Sequence, residues 1–149
     1  MRYTERKGLP AIMSSTPRVL FVCVKNGGKS QMAAGLMSKV AGDSVDVFSA
    51  GTAPGSAINA LSARSLLEVG VDISANTPRA IDPDLLAHMD VVVTLGREAT
   101  PPVVDGPRYE NWDTDEPSER GIDGIERMRL VRDDIAERVT DLHTRLTTN

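Results

Sequence analysis

The sequence predicts a three-layer α/β domain: a four-stranded, mostly parallel sheet with helices on both faces. Three observations lead there. Short β-rich runs alternate along the chain with segments of helical period, the pattern of a sheet crossed by helices. One run, Val91-Val92-Val93, is apolar on both pleat faces, as a strand covered on both sides must be. Chain-breaking residues such as Gly42, Gly70 and Pro101 fall between the runs rather than inside them.

The elements follow in order. Met1–Pro17 carries Gly, Pro, Ser and Thr without an apolar period and reads as a flexible leader, so the domain is residues 18–149. Arg18–Cys23 is the first strand. Ser30–Ala41 has Ala33, Leu36, Met37 and Val40 at helical spacing, and Gly42 stops it. Val45–Ser49 is a second strand, leading into the turn-rich Ala50-Gly51-Thr52-Ala53-Pro54-Gly55. Ala57–Val69 is a helix with Ile58, Leu61 and Leu66 facing inward. After an irregular connection, Asp82 caps a short helix with Pro83 in its first turn and Leu85, Leu86 and Met89 inward. Asp90–Leu95 and Arg108–Trp112 are the third and fourth strands. Asp113–Gly121 is a polar, acidic loop. Ile122–Thr147 is the longest helix, with an apolar stripe of Ile125, Met128, Val131, Ile135, Val139, Leu142 and Leu146; its charged residues, Arg132, Asp133 and Arg138 among them, form a solvated face.

Composition narrows the function. The chain has 149 residues, enough for one domain with its own core. A formal net charge of −4 excludes nucleic acid and anionic membrane as main partners. No apolar run approaches the roughly 18–20 residues that span a bilayer, and the N-terminus lacks a signal-peptide core. The protein is therefore expected in the cytoplasm. The single cysteine forms no internal disulfide, which fits a reducing compartment. His88 and His143 have no second His or Cys at metal-ligand spacing, so no metal site is expected.

Chemistry gathers at Val19-Leu20-Phe21-Val22-Cys23-Val24-Lys25-Asn26-Gly27-Gly28-Lys29-Ser30. In a parallel α/β sheet the sites lie at the C-terminal ends of strands. That rule puts Cys23 and the loops after Ser49, Leu95 and Trp112 on one rim. Cys23 ends a strand beneath a helix N-terminus, a position that favours a thiolate and an oxyanion beside it. Val24, Lys25, Asn26, Gly27, Gly28, Lys29 and Ser30 can curl so that successive backbone N–H groups converge on one anion. Gly27 and Gly28 supply the unusual dihedrals, Asn26 holds the loop, and Ser30 sits at the helix start with its hydroxyl within reach of the sulfur. Gly28-Lys29-Ser30 is not a Walker loop, because its first glycine is missing.

Cys23 to Ala33 resembles the anion loop shared by low-molecular-weight protein tyrosine phosphatases and the thiol-dependent arsenate reductases of the same fold. Ser49-Ala50-Gly51-Thr52 is similar to the loop after their second strand, and Val91–Leu95 to their third strand. Trp112-Asp113-Thr114-Asp115-Glu116-Pro117 resembles their general-acid loop. Ser30-Gln31-Met32 looks more like the reductases, since the phosphatases usually have Ser-Pro there. The resemblance implies a low-molecular-weight phosphatase-like fold, Cys23 as nucleophile and an acid among Glu116, Asp115 and Asp113. The sequence departs from the family at Lys29, where the family has Arg; at Glu116, where it has a catalytic Asp; and at Gly96, where the thioredoxin-coupled reductases have a relay cysteine.

With no second cysteine, the best match is the single-cysteine arsenate reductase type. Its substrate is arsenate, its external co-substrate is mycothiol, and a mycoredoxin-like protein releases arsenite. No bound cofactor is implied. Two other functions share the same residues: a phosphotyrosine or small-molecule phosphatase, and a non-catalytic oxyanion-binding relative.

Overall fold

The computed structural model describes residues 16–148, so almost all of the expected Met1–Pro17 leader lies outside the described residues. Four strands, β1 (Arg18–Cys23), β2 (Asp46–Gly51), β3 (Val91–Leu95) and β4 (Arg108–Trp112), form one parallel sheet in the order β2-β1-β3-β4. The helices are α1 (Lys29–Ala41), α2 (Ala60–Leu67), α3 (Pro83–Ala87) and α4 (Gly124–Thr147).

Period-two alternation sorts the sheet into two faces. Val19, Phe21, Val91, Val93 and Leu95 pack with α1, α2 and α4 in the larger core. Leu20, Val22 and Val92 pack with Leu86 and Met89, on and just after α3, in the smaller one. This is the expected three-layer arrangement. The small aromatic content is used at one point, where Phe21 and Trp112 sit with ring centroids 5.7 Å apart.

Register sets the rim. Cys23 pairs with Gly51 and Leu95 with Trp112, so four strands end together and four loops share one edge of the sheet. β2 runs two residues past the expected Ser49 because β1 offers partners up to Cys23.

Helix boundaries and faces depart from the expectations in ways with clear causes. α2 starts at Ala60 rather than Ala57, because Asn59 is its cap and accepts from Ser62 N–H at 2.9 Å. Its inner face is then Ser62, Ala63, Ser65 and Leu66, and Leu61 is 36% exposed. The small side chains let α2 approach α4, with Ser62 Oγ 3.7 Å from Met128 Sδ. On α1 the buried face runs through Met32, Leu36, Met37 and Ala41, leaving Val40 42% exposed. α4 begins at Gly124, after Asp123, rather than at Ile122. Its apolar stripe is as expected: Met128, Val131, Ile135, Val139 and Leu142 are buried and Ile125 and Leu146 pack against them.

The charged side of α4 is not a simple solvated face. Arg132, with a side chain only 12% exposed, donates to Ser65 O and Glu68. Arg138 donates to Asp113 O and to Asp134. These arginines tether α2 and the loop after β4 to the long helix. No helix among the described residues is long and apolar enough to cross a membrane.

Candidate active site

β1 delivers Cys23 to the rim, and the chain turns at once into the loop that precedes α1. The neighbouring segment 52–59 runs alongside and claims the loop's carbonyls. Thr52 N–H donates to Cys23 O (3.1 Å), Ala53 N–H to Val24 O (2.8 Å), Gly55 N–H to Lys25 O (2.9 Å) and Asn59 N–H to Gly27 O (2.7 Å). A planar trans peptide points its C=O and its N–H to opposite sides. With the carbonyls drawn outward, the following amides turn to the loop interior. The Asn26 N–H demonstrates it, donating to Cys23 Sγ at 3.3 Å. Gly28 O accepts from Met32 N–H at 2.9 Å as α1 begins. The loop is therefore a ring of inward amides closed by a helix N-terminus, the construction that binds oxyanions.

Asn26 is the keystone of this loop, and it takes the left-handed conformation (φ +55°) expected of the glycines. Asn is the non-glycine residue that tolerates it. The residue is fully buried. Its Oδ1 accepts from the Arg79 backbone N–H (3.0 Å) and from Gln31 Nε2 (3.2 Å). The Arg79 N–H can only donate, which fixes the amide orientation and turns Nδ2 toward Ser30 Oγ at 2.8 Å.

The glycines serve close approach instead. A Cβ on Gly27 would lie 2.8 Å from Ala57 O, and one on Gly51 would lie 2.5 Å from Val24 O. Gly28 is the α1 N-cap, with φ −130° and ψ −102°. Ser30 is thus inside the first turn of α1 rather than its cap.

That placement frees the Ser30 hydroxyl for the sulfur, 2.9 Å away. Because Ser30 Oγ already accepts from Asn26 Nδ2, its one hydrogen is available to Cys23 Sγ. The sulfur then receives two hydrogen bonds, from Ser30 O–H and Asn26 N–H.

The acidic loop lies across the rim from this ring. Glu116 accepts from Arg127 Nε (2.8 Å) and Nη2 (3.0 Å) and from Ser118 Oγ (2.7 Å), and sits 3.8 Å from Lys29 Nζ. The Arg127 fork, aided by Ser118 and the Lys29 charge, lowers its pKa to about 2. Asp115 accepts a fork from Arg120, and that hydrogen-bonded guanidinium lowers its pKa too. Asp113 pairs with Arg97. In this arrangement all three carboxylates face cations, and Glu116 is an ionised acceptor near neutral pH.

Of the residues singled out in the sequence, Cys23, Asn26 and Ser30 are in direct contact, and Lys29 reaches the acidic loop through Glu116. Lys25, Gly27, Gly28 and Lys29 line one cavity of about 520 Å³ together with Arg127. Lys29 and the 113–116 loop, with Gly96, line a second of about 550 Å³. His88 and His143 lie elsewhere, bonded to Asp84 O and Ser44 Oγ. In the sequence Gln31 stands out only as part of Ser30-Gln31-Met32, and Asn76, the Arg79 backbone and Arg127 do not stand out at all. Asn76 Nδ2 supports Gln31 Oε1 at 3.1 Å, and Gln31 in turn supports Asn26. The partner Asn76 lies 45 positions from Gln31, so no local pattern could have signalled it.

The family profile described as low molecular weight phosphotyrosine protein phosphatase matches residues 18–149. The chain belongs to that family. Its relatives include an arsenate reductase of Bacillus licheniformis, 36% identical over 136 residues, covering 84% of this chain and 94% of that one. A thioredoxin-dependent arsenate reductase of Corynebacterium glutamicum superposes with a TM-score of 0.75 at 36% identity; the match covers 91% of this chain and 64% of the other. An arsenate reductase in a phosphate-binding state superposes with a TM-score of 0.76 at 29% identity, covering 88% and 99%. Those names belong to the relatives.

Proposed function

We propose that this protein is an arsenate reductase of the single-cysteine type, resolved by an external low-molecular-weight thiol. The observation that carries the reading is the only cysteine of the chain, set in a ring of inward amides with two hydrogen bonds on its sulfur. Relatives named arsenate reductase at 36% identity support the substrate.

Arsenate enters the ring with its oxygens against the amides of residues 24–30 and the α1 N-terminus, with Lys29 as a point charge at the mouth. Cys23 thiolate attacks arsenic, an S–As bond forms, and one oxygen leaves as hydroxide. The proton for that oxygen comes from the acidic loop, with Glu116 the carboxylate paired to Lys29 and Asp115 beside it. Glu116 is ionised while Arg127 holds it. Ser30 returns to stabilise Cys23 when it becomes the leaving group.

The electron count then demands a partner. Arsenic(V) becomes arsenic(III) only when two sulfurs are oxidised to a disulfide. One cysteine cannot supply both. A low-molecular-weight thiol, of which mycothiol is the one the family resemblance indicates, attacks arsenic and expels Cys23 thiolate unchanged. No redox change has yet occurred. A second thiol, from a mycoredoxin-like protein, attacks the sulfur of that conjugate. An S–S bond forms, the S–As bond breaks, and its electron pair stays on arsenic as arsenite departs. No resident cofactor takes part, and such a thiol pool places the reaction in the cytoplasm.

Arsenate turnover with mycothiol and mycoredoxin, set against thioredoxin as the only reductant, tests the reading. Turnover confined to the mycothiol system is expected; robust turnover with thioredoxin alone, or none with mycothiol, contradicts it.

A further inference from the structure

The Cys23 loop has two sides. Its amides converge on the ring, and its carbonyls face the 52–59 segment, with Lys25 O accepting from Gly55 N–H (2.9 Å) and Gly27 O from Asn59 N–H (2.7 Å). The cavity of about 520 Å³ opens on that outer side, and neither Cys23 nor Ser30 lines it. Lys25, Lys29 and Arg127 do, and no carboxylate does.

Charge is unbalanced there, since lysine and arginine are both cationic at neutral pH. Glu116, on the wall of the other cavity, serves two of the three cations, at 2.8 Å from Arg127 and 3.8 Å from Lys29. Among the described residues no ion pair reaches Lys25. Nor does any hydrogen bond among them engage Arg127 Nη1, because Glu116 takes only Nε and Nη2. Three cations against one carboxylate leave positive charge uncompensated in one concavity of a chain whose formal net charge is −4. The Lys25 stem is also supported: it runs over Gly55, where an added Cβ would lie 3.6 Å from Lys25 Cβ and 3.8 Å from its Cδ. A stem packed in this way keeps its charged head in the open at the cavity edge.

A net-negative protein repels an anionic substrate, and a local cationic concavity reverses that field where it is placed. We propose that this outer cavity is a second oxyanion site, distinct from the ring, which captures a tetrahedral anion such as phosphate or arsenate beside the Cys23 loop. Lys25 and Arg127 Nη1 supply its charge-assisted donors, and Lys29 borders both this cavity and the acidic loop. An anion held there is separated from the ring by the wall of one loop. The inference shares the anion chemistry of the proposed function but does not depend on arsenate turnover.

The test separates the two sites with one probe, inorganic phosphate. Phosphate occupying the ring shields Cys23, so the iodoacetamide rate against phosphate concentration reads the ring alone. Once Cys23 is alkylated, the added group fills the ring, and phosphate bound by the alkylated protein, measured by equilibrium dialysis, reads the outer site. One phosphate per alkylated chain is expected. Lys25→Met keeps most of the stem over Gly55 and removes the charge; it is expected to weaken that binding about tenfold, the worth of one charge-assisted contact. Arg127→Met is expected to weaken it about threefold, since Glu116 already engages most of the guanidinium. Alkylated protein that binds no phosphate, binding without a one-to-one endpoint, or binding that either variant leaves intact overturns the proposal. Phosphate that fails to shield the unmodified thiol contradicts the ring instead, so the two failures are told apart.

Discussion

Asn26→Ala removes the residue on which the anion loop is built, and its cost can be worked from the contacts. Alanine at φ +55° costs about 1 kcal/mol more than asparagine there. The Arg79 N–H, bonded to Oδ1 at 3.0 Å, is left buried without an acceptor, for about 1–3 kcal/mol. The Gln31 and Ser30 contacts, at 3.2 and 2.8 Å, add about 1 kcal/mol between them. The sum, about 3–5 kcal/mol, is a large part of the stability of an ordinary domain. Urea unfolding at constant m-value reads it directly. Asn26→Gly relieves the backbone part and should lie about 1 kcal/mol above the alanine variant. Asn26→Asp keeps the Oδ1 acceptor but draws the Ser30 hydroxyl away from Cys23, so its thiol should alkylate more slowly at neutral pH than its stability would suggest. A loss below about 1 kcal/mol for Asn26→Ala, or a glycine variant no better than alanine, would refute the keystone role.

Three further expectations follow from the same contacts. Ser30→Ala removes the 2.9 Å donor to Cys23 Sγ and should slow iodoacetamide alkylation at pH 7 about tenfold with little loss of stability, within the range for a hydrogen bond to a charged group; an unchanged rate would place the hydroxyl outside the thiolate's stabilisation. Glu116, lowered from 4.5 to about 2 by Arg127, contributes stability that is present above pH 4.5 and lost as pH falls toward 2, so Arg127→Met should flatten the acid limb of an unfolding curve in that window, and an unaltered limb would contradict the pair. Gly51→Ala places a Cβ 2.5 Å from Val24 O, a backbone atom that must move; it should cost about 1–3 kcal/mol and abolish phosphate shielding of Cys23, while retained shielding would show the loop indifferent to its neighbour.

The sheet was legible because local pattern and burial agree. Val91–Leu95 is apolar at every position but Thr94 and is buried throughout. The stripe from Met128 to Leu142 keeps a single helical face over several turns and is buried along it. α2 misled because its inner face is Ser62, Ala63 and Ser65, small residues selected for close approach to α4, and no hydrophobicity pattern marks such a face. Arg132 reads as a surface charge until its partners, Ser65 O and Glu68, are seen more than 60 positions away. At the site, Cys23 and Ser30 were legible because strand, turn and helix follow within a few residues. The left-handed Asn26 was not: two neighbouring glycines are the more permissive choice, and what decides the matter is the Arg79 N–H arriving from a distant loop. Arg127 gave no signal at all, since a cation in the first turn of a helix is unfavourable with the dipole and has no motif around it.

The central claim is that Cys23 passes arsenic to an outside thiol and is itself never oxidised. Mass spectrometry of a reaction holding arsenate and mycothiol but no mycoredoxin tests it most directly. The expected result is a free arsenic–mycothiol conjugate accumulating over many turnovers, no arsenite, and Cys23 recovered as the thiol, with Cys23→Ser giving no conjugate. Arsenite formed together with a mixed disulfide on Cys23, or a conjugate formed as fast by Cys23→Ser, would contradict it.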